Sequence, residues 1–165
     1  RSRWQEEEGI PLKPESPTLQ TFVEALPFQL TEAQKRVLSE AVSDLERGTP
    51  PMSRLLQGDV GSGKTVVALA ALLIAATAGY QGAMMVPTEI LAEQHFLTVS
   101  KLLGPFLKPA EDGVILAHID PTQKPITIGL LLGRMGKKEK EEVQHPGKQE
   151  EYKREQSTTT KQQIA

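Results

Sequence analysis

Several absences limit what this chain can be. It has no cysteine, which excludes disulfides and thiolate metal sites and is compatible with a reducing compartment. Its longest apolar run, Val66 to Ala78, is shorter than the roughly 20 residues that a membrane-spanning helix needs. It also lacks an initiator methionine, and Arg1 to Trp4 do not resemble a signal peptide. We therefore expect a soluble, cytoplasmic protein without a membrane partner, and a fragment of a longer chain.

An excess of positive charge is absent as well. The chain has 19 Lys and Arg against 21 Asp and Glu, a formal net charge of −2 at pH 7. Non-specific affinity for nucleic acid comes mainly from basic side chains that neutralise phosphates. Strong DNA binding by this chain alone is therefore not expected.

Apolar spacing and breaker residues predict alternating helices and strands in the centre of the chain. A strand, helix, strand, helix order is typical of parallel strands with crossover helices, the α/β architecture. The predicted helices are Leu19 to Leu26, Thr31 to Leu45, Lys64 to Ala78 and Thr88 to about Leu103. The predicted strands are Met52 to Gln57, Gly82 to Val86 and Ile126 to Leu132, with Gly113 to Ile119 as a further candidate.

A glycine-rich stretch joins the first predicted strand to the next helix. Glycines let backbone N–H groups converge on phosphate oxygens, and the following helix adds its positive N-terminal end. Lys64 can reach the β- and γ-phosphates, and the Thr65 hydroxyl can coordinate Mg²⁺, so both are candidate catalytic residues. The alternative is a glycine-rich turn with a coincidental Gly-Lys-Thr. The stretch fits G-x-x-x-x-G-K-[ST] throughout and predicts a nucleotide-binding loop: Gly58, Asp59, Val60, Gly61, Ser62, Gly63, Lys64 and Thr65.

The segments on either side of this loop carry a family resemblance. "LPFQLTEAQKRVL", Leu26 to Leu38, resembles the Q-motif of superfamily 2 helicases, and "MVPTEILAEQHF", Met85 to Phe96, resembles their motif Ia. "LLLGRMGKKEKEEV", Leu130 to Val143, is similar to the motif Ib region. Together with "SRLLQGDVGSGKTVVA", Ser53 to Ala68, these stretches resemble the RecG family of ATP-dependent DNA helicases. The resemblance extends from about Phe22 to Val143.

This resemblance implies an incomplete P-loop NTPase domain of the RecA-like type, with ATP and Mg²⁺ as cofactors. It implies that Phe28 and Gln34 recognise adenine. It implies contact of Pro87, Thr88 and Glu89 with the DNA backbone. The parent family remodels branched DNA, including stalled forks and Holliday junctions, and a monomer is expected.

Two of these residues have a competing structural interpretation. Thr31 and Gln34 have the spacing of a capping box, which would use the same Gln34 side chain as adenine recognition. We favour the adenine role for Gln34. Thr88 is also a candidate helix N-cap, a role that is compatible with a phosphate contact.

Three segments with different predicted roles follow one another along the chain. Residues 1–18 are predicted to be a linker or the end of a preceding domain, and residues 19–143 the N-terminal part of motor domain one. An insertion at about 108–125 contains three prolines, and within it Gly113 to Ile119 can pair at a sheet edge. Residues 144–165 are predicted to be a polar tail or insertion with too few apolar residues for a core.

One family motif is absent: no D-E-x-H or D-E-Q-H follows the loop. In superfamily 2 this motif holds Mg²⁺ and orients the attacking water, and neither Asp112 nor Asp120 replaces it convincingly. We therefore expect ATP binding without hydrolysis by this chain alone. The open alternatives are a nucleotide-binding module or truncated remnant without motor activity, and the motor of the related transcription-repair coupling factor.

Overall fold

The computed structural model describes residues 8–13, 17–108 and 113–144. Asp112 and the segment 145–165 lie outside these residues, as does most of the predicted linker. None of the helices in the described ranges is long and apolar enough to cross a membrane. The helices are α1 (Thr18–Glu24), α2 (Glu32–Arg47), α3 (Lys64–Thr77), α4 (Glu89–Leu102) and α5 (Lys137–Gln144).

Helix α2 is bounded by local signals that the sequence already contains. The Thr31 side chain accepts a hydrogen bond from the Gln34 backbone, and the Gln34 side chain accepts one from the Thr31 backbone, which completes the capping box. At the other end, Gly48 has a φ of 71°, a conformation that favours glycine and ends the helix. The predicted helix is confirmed and extends to Arg47.

Helix α3 is the centre of the hydrophobic core. Its sequence, KTVVALAALLIAAT, is apolar on most of its circumference, so a single buried face would leave much of it in water. The helix instead packs against α1, α2 and α4. Its buried residues are Val66, Val67, Leu69, Ala70, Leu73 and Ile74. The neighbouring elements add Phe22, Leu26, Leu30, Leu38, Val99, Leu102 and Leu103 to the same core.

The strands form a small antiparallel sheet in the order β1, β2, β3. They are β1 (Leu107–Lys108), β2 (Val114–Ala117) and β3 (Ile126–Gly129). β2 lies between the other two, so the prediction that Gly113 to Ile119 pairs at a sheet edge was wrong. The reason is that β1, which follows α4 after a short 3-10 helix (Gly104–Phe106), closes back onto β2, a pairing that the apolar pattern does not encode. The pairs of β2 with β1 and β3 are both antiparallel.

Two predicted strands do not form. Met52 to Gln57 and Gly82 to Val86 have no strand assignment and no ladder partner among the described residues. Leu55 and Met85 are 91% and 92% exposed, so an apolar sequence is present without a neighbouring strand to cover it. A strand needs partners for its N–H and C=O groups, and periodicity does not supply them. The predicted parallel sheet is therefore not confirmed in the described part of the chain.

Candidate nucleotide and DNA site

The loop between Gln57 and α3 folds into a compact turn that favours glycine at two of its positions. Gly61 and Gly63 have φ values of 80° and 77°, in the left-handed region that side chains disfavour. A Cβ on Gly58 would lie 2.7 Å from the Ser62 hydroxyl oxygen. Gly63 serves as the N-cap of α3, so the first N–H groups of that helix lie at the end of the loop. This arrangement fits a phosphate cradle.

The Lys64 side chain lies within the same loop. Its Nζ donates to the carbonyl oxygens of Gly58 and Asp59 at 2.8 and 2.7 Å, and lies 3.4 Å from the Ser62 hydroxyl oxygen. The ammonium thus lies against three oxygen atoms of the loop rather than extending into solvent. Bound phosphate would offer it oxygens of full negative charge, which make stronger hydrogen bonds than neutral carbonyls.

Gln34 connects α2 to this loop. Its Oε1 accepts the Thr31 N–H at 2.8 Å, and its Nε2 donates to the Ser62 carbonyl oxygen at 2.8 Å. Capping therefore uses the oxygen, whereas the amide nitrogen has two N–H donors and uses one of them on the loop. A Cβ on Gly63 would lie 2.4 Å from this nitrogen, so Gly63 is needed for the contact. The capping role is confirmed, and adenine recognition remains a prediction.

The other predicted nucleotide contacts are accessible. Phe28 precedes α2 and is 44% exposed, which leaves ring surface available to a base. The Val60 side chain is fully exposed at the loop tip, so only its backbone is a candidate for phosphate binding. Thr65 is half-buried in the first turn of α3. Within the ranges that the structure describes, no three His, Cys, Asp or Glu side chains form a metal cluster.

Arg54 positions the segment that leads into the loop, a role that the sequence analysis missed. Its guanidinium forms ion pairs with Glu40 and Asp44 of α2, and Asp44 also pairs with Arg47. Chiefly through the hydrogen bond from Arg54, the pKa of Asp44 is held below its usual range. Glu40 and Asp44 are four residues apart on one helix face, a spacing that signals a possible cation partner.

The predicted DNA contacts lie at the start of α4. Thr88 is the N-cap of this helix, and its hydroxyl oxygen accepts the Leu91 N–H at 3.3 Å. The hydroxyl still has its own O–H to donate. Pro87 and Thr88 are exposed. The cap is confirmed, and the phosphate contact remains a prediction.

Glu89 is in a different position from its two neighbours because its carboxylate is already bound. Oε1 accepts the backbone N–H of Arg134 at 2.8 Å, and Oε2 lies 3.4 Å from Nη1 of the same residue. Glu93 accepts a further hydrogen bond from Arg134 Nη2 at 2.7 Å. Arg134 and Glu93 were not among the residues predicted from the sequence. Two glutamates at i and i+4 in one helix were the available signal.

Asp120 was one of the carboxylates considered as a substitute for the missing motif. Its Oδ1 accepts hydrogen bonds from the backbone N–H and the hydroxyl of Thr122, at 2.8 and 2.7 Å. This is the geometry of a side chain that stabilises its own turn.

Comparison with known proteins agrees with the geometry of the loop. The DEAD/DEAH box helicase family matches residues 31–127. An ATP-dependent DNA helicase RecG of Synechocystis sp. is 43% identical over 136 residues, which cover 76% of this chain and 16% of that protein. The RecG helicase of Bacillus subtilis is 57% identical over 88 residues, which cover 53% of this chain and 13% of that protein. The RecG helicase of Aquifex aeolicus is 47% identical over 106 residues, which cover 64% of this chain and 13% of that protein.

The chain thus corresponds to between 13% and 16% of the length of these three relatives. A helicase domain of the matched family implies the RecA-like P-loop class that the sequence predicted. The resemblance to the RecG helicases of superfamily 2 is confirmed, and the chain belongs to the DEAD/DEAH box helicase family.

Proposed function

We propose that this chain supplies the ATP-binding part of the first motor domain of a DNA helicase that remodels branched DNA, including forks and Holliday junctions, as a monomer in the cytoplasm. The names of the relatives support an ATP-dependent DNA helicase. The single observation that carries the ATP-binding half is the hydrogen bond from Gln34 to the Ser62 carbonyl. It brings the predicted adenine-recognition residue into contact with the phosphate loop.

The loop and its neighbours contact different parts of the nucleotide. The N–H groups of Gly61 and Gly63 bind phosphate oxygens. Ser62 N–H exchanges the Asp59 carbonyl oxygen, to which it donates at 3.1 Å, for phosphate, and Lys64 exchanges its carbonyl partners for the β- and γ-phosphates. Thr65 would hold Mg²⁺, and the bound ion would neutralise phosphate charge. Phe28 and Gln34 contact the adenine.

The parallel sheet belongs to the same proposal. Met52 to Gln57 leads into the loop and Gly82 to Val86 leads towards α4, so both have the places of strands in a strand, loop, helix unit. Exposed Leu55 and Met85 support the idea that further strands cover these segments in the longer protein.

The proposed function is tested by titrating a fluorescent ATP analogue against the chain with and without Mg²⁺. We expect Lys64→Ala to abolish binding, because the phosphate charge loses its nearest counter-charge. We expect Thr65→Ala to reduce only the Mg²⁺-dependent part of the affinity. Lys101→Ala is the matched control, since it removes an exposed lysine from the last turn of α4. Equal affinity of wild type and Lys64→Ala would exclude the loop as the binding site.

A further inference from the structure

Arg134 joins two elements that are 45 residues apart in the sequence. It binds Glu89 in the first turn of α4 with its backbone N–H and its guanidinium, and it binds Glu93 in the second turn with its guanidinium. These contacts are named the Arg134 link. The hydrogen bond to Glu93, together with the charges of both carboxylates, raises the pKa of Arg134 above its ordinary value.

The turn that contains Arg134, residues 132–136, is also fixed from the other side. Lys140 Nζ in α5 donates to the Gly133 carbonyl oxygen at 3.2 Å, and Glu139 accepts the Gly136 N–H at 2.6 Å. A Cβ on Gly133 would lie 3.0 Å from Glu89 Oε1, so the bare backbone permits the carboxylate to lie against the turn. The turn is thus held between α4 and α5.

The position of the Arg134 link gives it a consequence for DNA binding. Pro87 and the N-cap Thr88 immediately precede α4, and Glu89 and Glu93 place two negative charges in its first two turns. Uncompensated, these charges repel a phosphate at that helix end. Arg134 pairs with both and is the more exposed partner, at 63% against 38% and 42%.

We propose that Arg134 is a positioning residue for DNA binding: through Glu89 and Glu93 it holds the start of α4 and the 132–136 turn in one fixed arrangement. The inference rests on the proposed DNA contact of Pro87 and Thr88. Glu89 then acts by binding Arg134 rather than by touching DNA. The Arg134 guanidinium forms ion pairs with the two glutamates and makes no phosphate contact of its own.

The test is binding of a fluorescein-labelled synthetic DNA fork by the 165-residue chain at a series of salt concentrations. Glu93→Ala removes a negative charge near the DNA, so charge alone predicts tighter binding. The Arg134 link predicts the opposite, a loss of about two- to fivefold, because exposed ion pairs contribute modestly. Arg134→Ala should weaken binding at least as much, because it also leaves both carboxylates uncompensated, but the salt slope should fall by clearly less than the value of about 0.9 that loss of a direct phosphate contact costs.

The double variant Glu93→Ala/Arg134→Ala should bind no more weakly than the weaker single variant, because both changes break the same link. Glu46→Ala is the matched control: it removes an exposed glutamate of α2, and its side chain has no hydrogen bond or ion pair in the described part of the chain. ATP-analogue affinity, measured on the same samples, should stay at the wild-type value in every variant.

Unchanged or tighter binding by Glu93→Ala overturns the inference and leaves the proposed function intact. A salt slope that is lowered by about 0.9 in Arg134→Ala overturns it as well, since Arg134 would then be a direct contact. A wild-type chain that binds the ATP analogue but no fork even at the lowest salt concentration overturns the proposed DNA contact of Pro87 and Thr88 together with this inference.

Discussion

The Gln34 side chain lies 2.8 Å from the carbonyl oxygen of Ser62, 28 residues further along the chain, and bridges α2 and the phosphate loop. The same side chain caps α2 through its other terminal atom. A change at this position therefore alters two features that stability and binding measurements can separate.

Gln34→Glu separates the two roles of this side chain. A carboxylate still accepts the Thr31 N–H, so we expect the cap of α2 to be kept and the free energy of unfolding to fall only by about 0.5 to 1.5 kcal/mol, the contribution of the hydrogen bond to Ser62. The donor to Ser62 and to adenine is lost, so the preference for ATP over GTP should disappear. The measurement is competition of both nucleotides against a fluorescent analogue, because their affinity ratio cancels the repulsion between the new charge and the phosphates. Gln20→Glu in α1 is the control, and a preserved preference would contradict the adenine role.

The chain should bind ATP without turning it over. Its 165 residues contain no D-E-x-H motif and therefore lack the group that orients the attacking water. Phosphate release by the 165-residue chain should stay at background with and without a DNA fork. A longer chain of this protein that carries a D-E-x-H motif should hydrolyse ATP in response to branched DNA. Hydrolysis by the short chain that Lys64→Ala removes would mean that another carboxylate acts, with Asp112, Asp120 and the segment 139–142 as places to look.

Asp44→Asn should lower the free energy of unfolding at neutral pH by about 0.5 to 1 kcal/mol, the range of partly exposed ion pairs. The pKa of Asp44 is lowered in the folded chain, so its contribution is present above the unfolded value of about 3.9 and is lost as the pH falls through the folded pKa. In urea unfolding at a series of pH values, wild type and Asp44→Asn should therefore converge below about pH 4. Glu46→Gln should not show this convergence. A constant difference down to low pH would show that the Asn substitution acts through packing instead.

Leu73→Ala should destabilise the chain by about 2 to 4 kcal/mol, because Leu73 is 2% exposed in the centre of α3 and its removal leaves a cavity. Leu97→Ala, which truncates a leucine that is 59% exposed on α4, should stay within about 0.5 kcal/mol of wild type. Urea unfolding at neutral pH measures both. Similar losses for the two variants would contradict the central position of α3 in the core.

The sequence by itself determined the features that depend on neighbouring residues. The capping box of α2, the glycines of the phosphate loop and the cap of α4 are local, because each is made by residues within a few positions of one another. The family could also be predicted, since its motifs are short, continuous stretches with strict spacing.

Only the tertiary structure decided which segments pair and which distant side chains meet. Met52 to Gln57 has a strand-like sequence but no partner among the described residues, whereas β2 acquires two antiparallel partners. Arg54 and Arg134 likewise depend on how elements pack, because a guanidinium finds its carboxylates across a fold and no sequence spacing fixes that distance. Periodicity reports which residues avoid water, while pairing and long-range ion pairs depend on which elements are brought side by side.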